Sequence, residues 1–138
     1  MNKLLKQLTE AVGVASAEKE VRLLIRDLIA DHVDEWHVDS MGNLIATKKG
    51  SGAQDLRILV DAHMDEVGLM VKHVNGKGLI HFIQMGGVNP VVAQSQRVII
   101  HGKRDIHGVM GSKPIHIMKP EERTKAVKIS DFFIDTGM

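Results

Sequence analysis

The sequence predicts an α/β chain in which a helical N-terminal segment gives way to a small β-rich part. Apolar residues recur at helical spacing between Leu4 and Ile29. After Asp34 the pattern changes to short extended runs separated by turn residues, and from Gly68 onward extended runs dominate. The shift near Gly68 divides the 138 residues into 1–68, an α/β part, and 69–138, a β-rich part.

Leu4, Leu5, Leu8 and Val12 fall on one stripe, so a short helix opens the chain. Gly13 is placed to end it through the left-handed cap that glycine adopts most easily. Ser16 is the expected N-cap of a second helix, with Glu18 and Glu20 in its positively polarised first turn. Val21, Leu24, Ile25, Leu28 and Ile29 form its apolar stripe, and Arg22, Arg26 and Asp27 its solvated face. Trp36-His37-Val38 and Leu44-Ile45-Ala46-Thr47 read as two strands or a hairpin around Ser40-Met41-Gly42-Asn43, followed by an exposed loop at Lys49-Gly50-Ser51-Gly52. Leu56-Arg57-Ile58-Leu59-Val60 is apolar enough for a largely buried strand. The β-rich part reads as Leu69-Met70-Val71, a turn at Asn75-Gly76, and a strand from Leu79 to Ile83. A break at Gly86-Gly87 precedes Arg97-Val98-Ile99-Ile100, a strand from Ile106 to Met110, and a last one at Phe132-Phe133-Ile134.

Hydrophobic residues make up 43% of the chain and charged residues 25%, which suits one domain or two small pieces with a packed core. A net charge of +1 gives no general pull toward nucleic acid or anionic membranes, and 3% aromatics leave little to build a base-stacking platform. No nucleic-acid partner is expected. The absence of cysteine excludes disulfides, thiolate metal sites and cysteine nucleophiles, and fits a reducing compartment, with the cytoplasm as the simplest reading. Polar residues interrupt Leu4-Leu5, and no run approaches the ~18 apolar residues of a membrane span. Neither secretion nor membrane insertion is expected.

The densest group of titratable side chains is Asp61-Ala62-His63-Met64-Asp65-Glu66-Val67-Gly68, directly after the predicted buried strand. In extended backbone Asp61, His63 and Asp65 would share one face and Ala62, Met64 and Glu66 the other. A histidine with a carboxylate two residues away suits a metal ligand whose ring is oriented by that carboxylate. The same tripeptide also suits a polar strand end with a hydrogen-bonded histidine.

The wider segment resembles the tetrahedral-aminopeptidase family, dinuclear metallopeptidases that include glutamyl and deblocking aminopeptidases. The resemblance runs over nearly the whole chain. Its motifs are Gly13-Val14-Ala15-Ser16, Asp39-Ser40-Met41-Gly42-Asn43-Leu44, Ala62-His63-Met64-Asp65-Glu66-Val67-Gly68 and Gly86-Gly87. They continue with Gly108-Val109-Met110-Gly111-Ser112-Lys113-Pro114, His116, Glu122-Arg123 and Ile134-Asp135-Thr136-Gly137. The resemblance implies the N-terminal part of a mixed-sheet catalytic domain, followed by an incomplete small β-barrel-like (PDZ-like) dimerisation domain. His63 is then the first metal ligand, and Asp65 the acidic residue that positions it. Two divalent ions, zinc or cobalt, activate water for attack on the N-terminal peptide bond of a peptide substrate, with a separate glutamate as general base. Homo-oligomers, up to hollow tetrahedral dodecamers, are the implied assemblies.

The remaining ligands and the general base of that family correspond to positions after Met138. The expectation is therefore an N-terminal piece inactive by itself, with a sheet edge and an apolar face that favour association. A second expectation is a non-catalytic assembly fragment that docks onto a full-length homologue or a complementary chain. His32, His37, His73, His81, His101 and His107 read as surface or satisfied core histidines, and His116 as structural. Lys119-Pro120-Glu121-Glu122-Arg123-Thr124-Lys125 reads as a solvated mixed-charge turn, and the eight methionines as core filling.

Overall fold

The computed structural model describes residues 2–52, 56–123 and 127–138. They form two compact units, Met1–Glu66 and Val67–Met138. No helix among the described residues is long and apolar enough to cross a membrane.

The first unit contains helices α1 (Lys3–Glu10) and α2 (Lys19–Ile29), a single 3-10 turn at Ala30–His32, and strands β1 (Glu35–Val38) and β2 (Leu44–Thr47). The Asn2 side chain caps α1 by accepting from the Leu4 amide at 3.0 Å. The helix stops at Glu10 with Ala11 already extended, so Gly13 is not its cap. Gly13 instead permits a close approach: a Cβ there would lie 2.7 Å from Cγ1 of Val21, the buried residue of α2. Ser16 does not cap α2 either. It sits at φ +70°, which turns the chain before the helix, and Glu18 occupies the N-cap position without a capping side-chain bond. The carboxylates at the N-cap and in the first turn reach back to the incoming loop, Glu18 Oε1 accepting from the Ser16 amide at 2.6 Å and Glu20 Oε1 from the Val12 amide at 3.3 Å.

Two further expectations change. Arg22 and Arg26 are half-buried rather than freely solvated: Arg22 Nη1 donates to Gly42 O at 2.9 Å, and the Arg26 guanidinium lies 5.5 Å from the Trp36 ring centroid. Hydropathy patterning registers neither the carbonyl bond of Arg22 nor the ring contact of Arg26. The run 56–60 is not a buried strand; Leu56 is 72% exposed and Leu59 91%. Its apolar character encodes burial, but no strand among the described residues pairs with it, and a strand without a ladder partner leaves its backbone groups to water.

The second unit is an antiparallel five-stranded sheet of β3 (Gly68–Val74), β4 (Ile80–Met85), β5 (Arg97–Ile100), β6 (Ile106–Gly111) and β7 (Phe133–Asp135). Its spatial order is β3-β4-β7-β6-β5, so the strand latest in sequence enters the middle. Short helices α3 (Pro90–Ala93) and α4 (Pro120–Arg123) and 3-10 turns at Ile115–Ile117 and Ile129–Asp131 fill the connections. The expected charged turn thus contains a helical turn, and its Thr124 and Lys125 lie outside the described residues. The β3–β4 turn is built by Asn75, whose Oδ1 accepts from the amides of Lys77 and Leu79, and its positive φ falls on Gly78.

Alternation along these strands sends Phe82, Met110 and Ile134 inward with Ala93 and Phe132, and Leu69, Ile80, Val88, Val98, Ile100 and Ile129 pack around them. Phe132, 2% exposed, is the anchor. We predict that Phe132→Ala destabilises this unit by about 3–5 kcal/mol, a large share of what a unit of this size possesses. Urea unfolding followed by circular dichroism measures it. Replacing Ser16 by glycine removes a left-handed β-carbon and is expected to stabilise the first unit by about 0.5–1 kcal/mol in the same assay.

Candidate functional site

Residues Asp61–Glu66 of the chemistry-bearing segment lie in the first unit, and backbone contacts at Glu66 hold their end. The Glu66 amide donates to Gly13 O at 2.7 Å, and Val14 and Glu66 form an isolated parallel bridge. Between Asp61 and Asp65 the chain has no regular structure. The expected division of faces therefore fails. Ala62, His63, Met64 and Asp65 all line one cleft of about 130 Å³, together with Glu18, Met41, Gly42 and Asn43, while Asp61 is not part of its wall.

His63 and Asp65 are brought together. His63 Nδ1 lies 3.0 Å from Asp65 Oδ1 and 3.1 Å from the Asp65 carbonyl oxygen. Both partners are acceptors, so Nδ1 carries the proton and the ring lone pair resides on Nε2. The His63 side chain is 85% exposed, leaving that nitrogen accessible. Among the described residues no group of three or more His, Asp or Glu side chains converges on one point to hold a metal. The pair fits one corner of a metal centre: a single imidazole ligand with its orienting carboxylate.

The opposite wall was legible as a turn but not as part of a site. Asp39 accepts from the amides of Met41 and Asn43 at 2.9 and 2.8 Å and from Asn43 Nδ2 at 2.9 Å. Gly42 adopts φ +89°, and its carbonyl receives the Arg22 bond, so α2 and Asp39 together fix the loop over the cleft. The available signal was Asp39-x-x-Gly42-Asn43, a carboxylate that bonds its own backbone followed by a left-handed glycine. Glu18, read from sequence as a first-turn carboxylate, also lines the cleft.

The Asn43 side chain and amide hold the Asp39 carboxyl below its ordinary value of 3.8. Because the folded form is the more acidic, the loop's carboxylate bonds contribute fully above pH 3.8 and are lost as pH falls through the lower folded value. The protection of the Met41 and Asn43 amides, measured by NMR as exchange relative to the unstructured rate at each pH, should fall as pH drops through that lower value, and Asp39→Asn should remove the acid step.

Residues 42–138 match the model of the M42 glutamyl aminopeptidase family. The chain is 34% identical over 138 residues to the lysyl aminopeptidase of Pyrococcus furiosus, covering 97% of this chain and 39% of that protein. It is similar to the crystal structure of a TET aminopeptidase from Thaumarchaeota archaeon SCGC AB-539-E09, with TM-score 0.90, 37% identity, and coverage of 98% of this chain and 37% of that one. It is also similar to the TET1 peptidase of Pyrococcus horikoshii, described as assembling into a tetrahedron or a large octahedral shell, with TM-score 0.78, 32% identity and coverage of 96% and 39%. The chain thus spans about two fifths of the length of these relatives. With a match over most of its length, the chain belongs to the M42 glutamyl aminopeptidase family.

Proposed function

We propose that these residues form the N-terminal part of a metal-dependent aminopeptidase that releases residues from the free amino end of peptides. The observation that carries this reading is the clamp of His63 Nδ1 by Asp65, which presents Nε2 as a ligand nitrogen at the cleft. His63 would hold a divalent ion, and Asp65 would set the tautomer and raise the basicity of the ring. Neutral imidazole and ionised carboxylates suit zinc or cobalt. Bound ions of this kind supply Lewis acidity toward a peptide carbonyl and toward water. The loop 39–43, fixed by Asp39 and Arg22, forms the wall against which a substrate end would rest.

The other metal ligands and the general base are assigned to sequence outside these 138 residues, so the chain alone is inactive in this reading. Residues 1–68 belong to the catalytic domain, and 69–138 to an incomplete PDZ-like dimerisation domain that supports homo-oligomers; the assembly described for the Pyrococcus horikoshii protein supports that assignment. The lack of cysteine supports a cytoplasmic location.

Assays of aminoacyl p-nitroanilides with zinc or cobalt test the proposal. The chain alone should show no turnover. Fused upstream of the remaining segment of the Pyrococcus furiosus relative, it should hydrolyse substrates with a free amino group. His63→Ala should abolish that activity, and Asp65→Asn should reduce it about 10–100-fold. Undiminished turnover by the His63→Ala fusion would refute the assignment.

A further inference from the structure

We infer that His73 and His81, on the sheet of the second unit, form a separate binding site for a late first-row divalent cation. The two residues are register partners on β3 and β4. A bulge between Val71 and His73 takes Lys72 out of the alternation, so His73 falls on the same face as His81, opposite the core residue Phe82. In a regular ladder without the bulge, Lys72 would pair with His81 and His73 with Ile80, on the other face.

The rings stack with centroids 4.6 Å apart and planes 9° from parallel. Metal–imidazole bonds of ~2.0–2.1 Å require two ligand nitrogens about 3–3.5 Å apart, so the pair is close to chelating distance. Both rings must turn out of the stack for their lone pairs to converge. His73 has the freedom to do so, because it is exposed on β3, the outermost strand of the sheet.

Asn75 shows which nitrogen of His81 is available. Its Oδ1 is occupied by the Lys77 and Leu79 amides, so its Nδ2, 3.2 Å from His81 Nε2, is the donor. The lone pair of His81 therefore lies on Nε2, with the proton on Nδ1. Metal binding exchanges one N–H···N hydrogen bond for a coordinate bond at that nitrogen. Two imidazoles and solvent ligands suit nickel, copper or zinc rather than magnesium or calcium. An ion held by both residues would cross-link β3 to β4 next to the turn, and so raise the stability of the second unit by mass action.

The test uses the whole chain carrying His63→Ala, which removes the cleft histidine and makes the outcome independent of the proposed peptidase site. Zinc or nickel chloride is titrated by calorimetry, and the zinc-bound form is followed by imidazole NMR. One equivalent should bind, with the His73 and His81 ring nitrogens shifting together and the thermal midpoint rising. Adding His73→Gln or His81→Gln should each weaken binding by about tenfold or more. The exposed position of His73 makes its variant the better fold control, and the ring shifts in the chain with both histidines intact need no variant at all. No binding in the His63→Ala chain, or binding that moves neither ring and survives both substitutions, would overturn the inference.

Discussion

The hydrogen bond from the Glu66 amide to Gly13 O anchors the segment that carries His63 and Asp65. Residues 56–65 have no ladder partner among the described strands, so this contact and the Val14–Glu66 bridge are what fix the end of the segment. Gly13 can offer its carbonyl there because the missing Cβ leaves space for Val21. Glu20 holds the Val12 amide from the first turn of α2, and Glu18 holds Ser16. Each such bond contributes only about 0.5–1.5 kcal/mol net, and burial of Val21 about 1.5–3 kcal/mol, so several weak contacts share the task. The same helix reaches the other wall through Arg22, which makes α2 the common support of both sides of the cleft.

The two units are stabilised differently. The second has a continuous apolar core around Phe132, closed by a late strand placed between two earlier ones. In the first, Val21 is the buried hydrophobic residue among those described, and side-chain-to-backbone hydrogen bonds carry much of the order.

Local features were legible in the sequence and nonlocal ones were not. The α2 stripe, the β1–β2 hairpin, the Asn75 turn and the five strands after Gly68 follow from periodicity and turn chemistry, which act over a few residues. The closeness of His63 and Asp65 was also legible, because two residues of chain limit their separation. Gly13 was misread because its carbonyl partner lies at Glu66 and its steric constraint at Val21. The run 56–60 was misread because its composition specifies burial while the partner that would provide it is set by topology. The central place of β7, and the bulge that turns His73 toward His81, likewise depend on pairing across long stretches of chain. The family resemblance supplied the expected roles of His63 and Asp65; the structure adds the clamp, the cleft and the loop that lines it.

The Asp65 clamp on His63 is read out in the tautomer and metal response of the imidazole ring. Long-range nitrogen–proton NMR on selectively labelled histidine distinguishes the two neutral tautomers and reports metal coordination at each nitrogen. The clamp places the proton on Nδ1 and a lone pair on Nε2, so Nε2 should shift when zinc is added, and Asp65→Asn should weaken both features. A proton on Nε2, or a His63 ring untouched by zinc, would contradict it.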